Sequence, residues 1–247
     1  VVQQRVATST IAVLALVLSV GTVPAEMGPF LLDGHQSLYC GEGNGAARII
    51  RDTSSPSHQF ALAWRLTSKP PISPPSDSDP DLENLIIRIS DGAILAKSHG
   101  FYWDLGDRYA PRQYLRAAWS PNSRLLIRTA GRIGVPDTAE LFTFTDDNSV
   151  MGPFDLVSVF DPVVRAQMKG AKDADQHLFR LSYSPRIAID DQGLIHASVY
   201  LQPRDSGDGP VYELTARVER TANSLDAKVL SISEYLGPSI SVIVHQP

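Results

Sequence analysis

The densest set of chemically useful side chains lies at residues 98–114, SHGFYWDLGDRYAPRQY. His99, Tyr102, Trp103, Asp104, Asp107, Arg108 and Tyr109 put aromatic rings beside hydrogen-bonding and charged groups within eleven residues. Rings offer flat apolar faces with a polar edge, and Asp and Arg supply directional hydrogen bonds. That combination suits recognition of a sugar-like or peptide-like ligand, and these seven are the candidate ligand contacts. The competing reading is packing. Phe101 and Trp103 then fill a gap between strand groups, and Asp104 and Asp107 are ordinary turn formers.

Other familiar chemistries fail on spacing. Gly41-Glu42-Gly43-Asn44-Gly45 lacks the Lys-Ser/Thr pair of a phosphate loop and has no strand-to-helix context. Asp77, Asp79 and Asp81 alternate like the start of a calcium loop, but Leu82 stands where Gly belongs and Arg88 where Glu belongs. The histidines at 35, 58, 99, 177, 196 and 245 form no His-x-His or His-x3-His pair, and Cys40 has no partner cysteine. No Gly-x-Ser-x-Gly elbow is present. The sequence therefore predicts no metal, no cofactor and no catalytic residue. A Ser-His-Asp arrangement needs no sequence neighbours, so a hydrolase with a loop-built site stays open.

The elements that must position the aromatic stretch come from the whole chain. Residues 11–20, IAVLALVLSV, form a ten-residue apolar run, and Val23-Pro24-Ala25 ends small. This reads as a secretory signal over 1–25, since a spanning helix needs about 20 apolar residues. The expectation is export to the periplasm or beyond, with residues 26–247 forming one domain and no stable membrane span. The chain has 22 basic and 27 acidic residues, a net charge of −5, so a nucleic-acid partner lacks its basic face. A protein or small polar ligand remains. Cys40 alone forms no internal disulfide, and a buried, idle thiol is its expected state.

Short apolar runs between turn residues predict strands through most of the chain. Residues 27–44 read as glycine-rich loop, and 69–81 (KPPISPPSDSDPD) as an exposed loop that proline keeps out of any ladder. Ser90-Asp91-Gly92-Ala93 between LIIRI and ILAK predicts a hairpin. Residues 115–129, LRAAWSPNSRLLIRT, read as strand, tight turn, strand, and residues 130–137 as a loop before a strand at 139–144. One short helix is expected near 156–169, running from Pro162 with Asp161 as its cap. Strands after turns begin at Phe60, Leu125 and Leu194, 65 and 69 residues apart. This divides the domain into units near 48–97, 114–153 and 177–235. The fold class expected is mostly β: about three repeated four-stranded antiparallel units, propeller-like or a twisted sheet array, with one helix.

Ala118-Trp119-Ser120-Pro121-Asn122-Ser123 resembles the Trp-Ser-Pro-Asp-Gly turn of WD40-like and TolB-like β-propeller blades. Ser55-Pro56 keeps part of it, and Asp190-Asp191-Gln192-Gly193 keeps its position. The pattern also resembles uncharacterised secreted bacterial proteins with Ser-Pro-turn repeats. The resemblance implies a blade-like fold and names no activity. The functional expectation is an exported, non-catalytic binding or interaction module, with a secreted peptide or glycan hydrolase as the alternative.

Overall fold

The computed structural model describes residues 30–32, 38–40, 46–67, 81–100, 102–103, 113–132, 135–167, 177–181, 187–203, 209–221 and 224–235. Fifteen strands and one helix are found there, in three antiparallel sheets. The first sheet runs β1 (Phe30–Leu32), β2 (Leu38–Cys40), β3 (Ala47–Ile49), β4 (Phe60–Leu66), β5 (Leu82–Arg88), β6 (Ile94–Ser98). The second is β7 (Gln113–Trp119), β8 (Leu125–Arg132), β9 (Val135–Phe144) and β10 (Val150–Asp155). The third contains β11 (His177–Leu181), β12 (Ala188–Ile189), β13 (Leu194–Pro203), β14 (Val211–Arg220) and β15 (Leu225–Glu234), with β11 and β12 both on β13. Each sheet thus contains a four-stranded meander, β3–β6, β7–β10 and β12–β15. The first is extended by the β1–β2 pair and the third by β11. The sheets do not close into a propeller.

Four local readings are corrected. Residues 27–44 hold the antiparallel pair of β1 and β2, in which the apolar triplets FLL and LYC register against each other. Residues 130–137 are mostly strand: β8 continues to Arg132 and β9 starts at Val135. Pro136 is tolerated because β10 pairs only with the far end of β9, from Glu140 to Phe144. The helix α1 spans Val157–Gln167 rather than starting at Pro162. Its first turn is capped by Asp155, whose Oδ1 accepts the Val157 N–H at 2.9 Å, while Asp161 pairs with Arg165 one turn on. Pro162 sits exposed inside the helix, and Phe160 and Val164, four apart, carry its buried stripe.

The second sheet is the middle layer, as the period of two along its strands dictates. On β8, Leu126 faces the first sheet and Ile127 the third; on β9, Phe142 and Phe144 face the first and Ala139 and Leu141 the third. One core therefore joins Phe60, Leu62, Trp64, Leu66 and Ile86 to Leu126, Phe142 and Phe144. The other joins Ile127 and Leu141 to the helix and to Ile195, Val199, Leu201 and Leu214 of the third sheet. Full burial of side chains of this size contributes roughly 1.5–3 kcal/mol each. Trp119 packs between the layers, its ring centroid 5.2 Å from that of Phe144, and donates its indole N–H to Thr53 O.

The three turns that precede β4, β8 and β13 share one hydrogen-bond pattern. Ser55, Ser120 and Asp190 each donate their N–H to the carbonyl of the first strand residue, Phe60, Leu125 and Leu194. The side-chain oxygens of the same three residues accept the N–H of those strand residues. The residue three places on, His58, Ser123 or Gly193, has a positive φ of 55°, 63° or 74°. The turns also bond to one another. Ser57 N–H donates to Ser123 Oγ, and Asn122 N–H to Asp191 Oδ1, across 66 and 69 residues.

Two outcomes follow. Arg88 holds the Asp91 carboxyl down at about 2 in the β5–β6 turn. Because the folded value lies below the ordinary carboxylate range, this pair supports the turn at neutral pH and is lost as pH falls through that range toward about 2. An NMR titration of the Asp91 carboxyl gives that midpoint, and Arg88→Gln moves it back upward. Cys40 is buried and burial pushes its thiol up. Native protein at neutral pH therefore reacts with Ellman's reagent far more slowly than unfolded protein does.

Candidate functional site

The segment leaving β6 carries the first of the sequence-selected contacts, His99, Tyr102 and Trp103. It is held by a polar cluster built from three strands. On β8 the face toward the first sheet reads Leu126, Arg128, Ala130, so Arg128 is placed in the core by parity. Glu140 on β9 stands directly across from it in the strand register. Arg128 Nη1 donates to Glu140 Oε2 at 3.0 Å, and Nη2 donates to Asn84 Oδ1 on β5 at 3.2 Å. All three are buried, with Arg128 1% exposed. Burial pulls the Arg128 guanidinium down from its ordinary value, and the Glu140 charge opposes that pull. Among the described residues, Arg128 Nε has no hydrogen-bond partner.

From this cluster two contacts reach the departing backbone. Asn84 acts as a strand partner made of one side chain. Its Nδ2 donates to Tyr102 O at 2.6 Å, and its Oδ1 accepts the Tyr102 N–H at 3.0 Å. Glu140 Oε1 accepts the His99 N–H at 3.3 Å and faces His99 Nδ1 at 2.5 Å. Between them Gly100 has φ +114°, and a Cβ there would stand 2.7 Å from Arg128 Nη2. Only glycine permits the chain to pass so close over the guanidinium.

The seven sequence-selected residues thus divide three ways. His99 is outward, with its side chain 82% exposed and its ring tied to the buried carboxylate. Tyr102 and Trp103 are buried in the core between the first and second sheets, which leaves them little surface for a ligand. Asp104, Asp107, Arg108 and Tyr109 lie outside the described residues, as does Phe101.

Asn84, Gly100, Arg128 and Glu140 were not selected from the sequence. A signal for two of them exists there. Arg128 is a charge at the buried parity of an apolar strand, and Glu140 occupies the equivalent parity of the next strand. A buried cation demands a partner, and the adjacent strand supplies it. Asn84 gives no such signal, because its role depends on contact between two sheets.

No family model matches the chain, and no curated protein sequence matches it.

Chemically the cluster offers an imidazole in a fixed orientation. A carboxylate oxygen only accepts, so the nitrogen facing it, Nδ1, carries a proton, and Nε2 of the neutral ring is left as an acceptor. Among the described residues no group of three or more His, Cys, Asp or Glu side chains is placed to hold a metal ion.

Glu140→Gln strands the Arg128 charge in the core and costs about 3–5 kcal/mol of stability. The paired replacement Arg128→Met with Glu140→Leu costs less than Glu140→Gln alone, because it removes both charges together. Urea unfolding of the single and double variants measures the difference.

Proposed function

We propose that this protein is an exported binding or interaction module that presents the segment after β6 to a protein or a small polar ligand, in the periplasm or outside the cell. The observation that carries the reading is the clamp on Tyr102 and His99. A buried ion pair is weak support for stability, since its desolvation offsets much of its attraction. Here it is coupled to an asparagine that fixes one backbone position of a connecting segment. Binding loops work best when a rigid scaffold fixes their ends. The stretch of sequence between β6 and β7 carries Asp104, Asp107, Arg108 and Tyr109, whose types suit polar recognition.

The apolar run at 11–20 supports export. The common hydrogen-bond pattern of the three turns, with their 66- and 69-residue links, supports reading the meanders as internal repeats akin to WD40-like and TolB-like blades. The three units then form an open array, with the second sheet shared between two cores. A second reading, a secreted hydrolase acting on a peptide or glycan, is favoured by one observation. That observation is the exposed His99 imidazole tied to a buried carboxylate.

The binding reading is tested with glycan and peptide arrays. Wild type gives hits, and the triple variant Asp104→Ala, Asp107→Ala, Tyr109→Ala loses them at an unchanged thermal midpoint. A wild type with no hits, or a variant that keeps them all, ends the proposal. Asn84→Ala, which frees Tyr102, weakens the same hits and costs about 1–3 kcal/mol of stability for the unpaired groups.

A further inference from the structure

We infer that His99 is an oriented proton acceptor that activates water toward a carbonyl carbon, and that the substrate class is an ester with a good leaving group. The inference rests on the second, hydrolytic reading of the site and gives it residues and a reaction.

The argument starts from the two ring nitrogens. In free histidine the neutral ring carries its proton on either nitrogen. Here Nδ1 is 2.5 Å from Glu140 Oε1, and that same oxygen accepts the His99 backbone N–H. The carboxylate is fixed in turn by Arg128, whose Nη1 is 3.0 Å from the other oxygen. Both the carboxylate and the guanidinium are held by strand positions directly across from each other. The ring therefore keeps its Nδ1–H bond whether neutral or protonated, and only Nε2 gains and loses a proton. A proton can come and go there without the ring turning. The side chain is 82% exposed, so water and substrate reach it.

The substrate class follows from what stands around the ring. Among the described residues no Ser, Thr or Cys side chain is hydrogen-bonded to His99, so water is the nucleophile. Nε2 takes one proton from water as its oxygen bonds to the carbonyl carbon. The carbon–oxygen bond to the leaving group then breaks, and that oxygen departs with the bonding electron pair. The proton on Nε2 passes to solvent or to the departing oxygen, which leaves an acid, an alcohol or phenol, and the free ring. Nothing is oxidised or reduced. With no second acid described beside the ring, a leaving group that departs as an anion is favoured over an amine. His99 touches the reacting water, whereas Glu140 is a positioning residue acting through the ring.

The probe is p-nitrophenyl acetate with the full chain, followed as released p-nitrophenolate. His196, exposed on β13, is the internal control for ordinary surface imidazole reactivity. His99→Ala loses about 10²-fold of the hydrolysis rate, the lower end of what a positioned base contributes, while His196→Ala leaves it unchanged. Equal rates for wild type and His99→Ala overturn the inference. Long-range proton–nitrogen NMR of the neutral ring supplies a readout independent of turnover. Wild-type His99 carries its proton on Nδ1, and Glu140→Gln, held below its midpoint, shifts it toward Nε2. A wild-type ring protonated on Nε2 also overturns the inference. Either failure leaves the array test of the binding reading untouched.

Discussion

One buried ion pair organises the seam between the first two sheets. Arg128 and Glu140 face each other across β8 and β9, on the side of the second sheet that otherwise carries Leu126, Phe142 and Phe144. An unpaired charge at that depth is costly, so this core is stable only with the two strands in register. Other groups of the pair bond onward to the first sheet and the segment leaving it. Asn84 takes one guanidinium nitrogen and passes the constraint to the Tyr102 backbone, and Glu140 passes it to His99. The course of the chain as it leaves the first sheet, at His99 and Tyr102, is thus set by polar contacts within an apolar layer. Aromatic packing fills the space around them, with Tyr102 and Trp103 inserted beside Phe60 and Trp64.

Much of the architecture was legible because strand periodicity and turn chemistry are local. Phe60, Leu125 and Leu194 begin strands as read, and the Asp-Gly hairpin at 91–92 forms between β5 and β6. Errors gathered where two local signals competed. Gly131 and Pro136 argued for a loop, yet the two residues pair with each other where β8 and β9 run on past the apolar stretch. Pro162 argued for a helix start, yet Asp155 offered a cap seven residues before it. The pairing of FLL with LYC was concealed by the glycines nearby. The site was less legible than the fold. The stretch 98–114 was singled out for its aromatics, two of which turned inward. The groups that fix it lie 15 residues before and up to 41 after His99, on other strands. No spacing rule connects such positions; only the pairing of sheets does.

The first and third sheets differ in what their far faces carry. The far side of the first sheet has Ala47, Ala61, Ala63, Leu85 and Ile87, all buried, and beside them Glu83 bonded to Arg65 and Lys97. Burial pushes the Glu83 carboxyl up, and the two cations outweigh it to hold it below its ordinary value. The far side of the third sheet has exposed His196 and Arg217 and the Ser198–Glu213 hydrogen bond. The turn-to-turn bonds have the same direction. The first turn donates to the second and the second to the third, where Gln192 N–H is satisfied within its own turn by Asp190. The far face of the third sheet is therefore polar, and that of the first combines buried apolar side chains with one ion-pair cluster.

The last strand of each meander departs from regular pairing. Leu95 on β6, one residue within Gly152-Pro153 on β10, and Leu230 on β15 are extra residues opposite the neighbouring strand. All three strands end their sheets among the described residues. An edge that bends out of plane offers an incoming strand only a few aligned amides before the match fails. Along these three edges, copies of this chain thus make poor templates for one another, and the fibrous pairing to which flat edges are prone is disfavoured there.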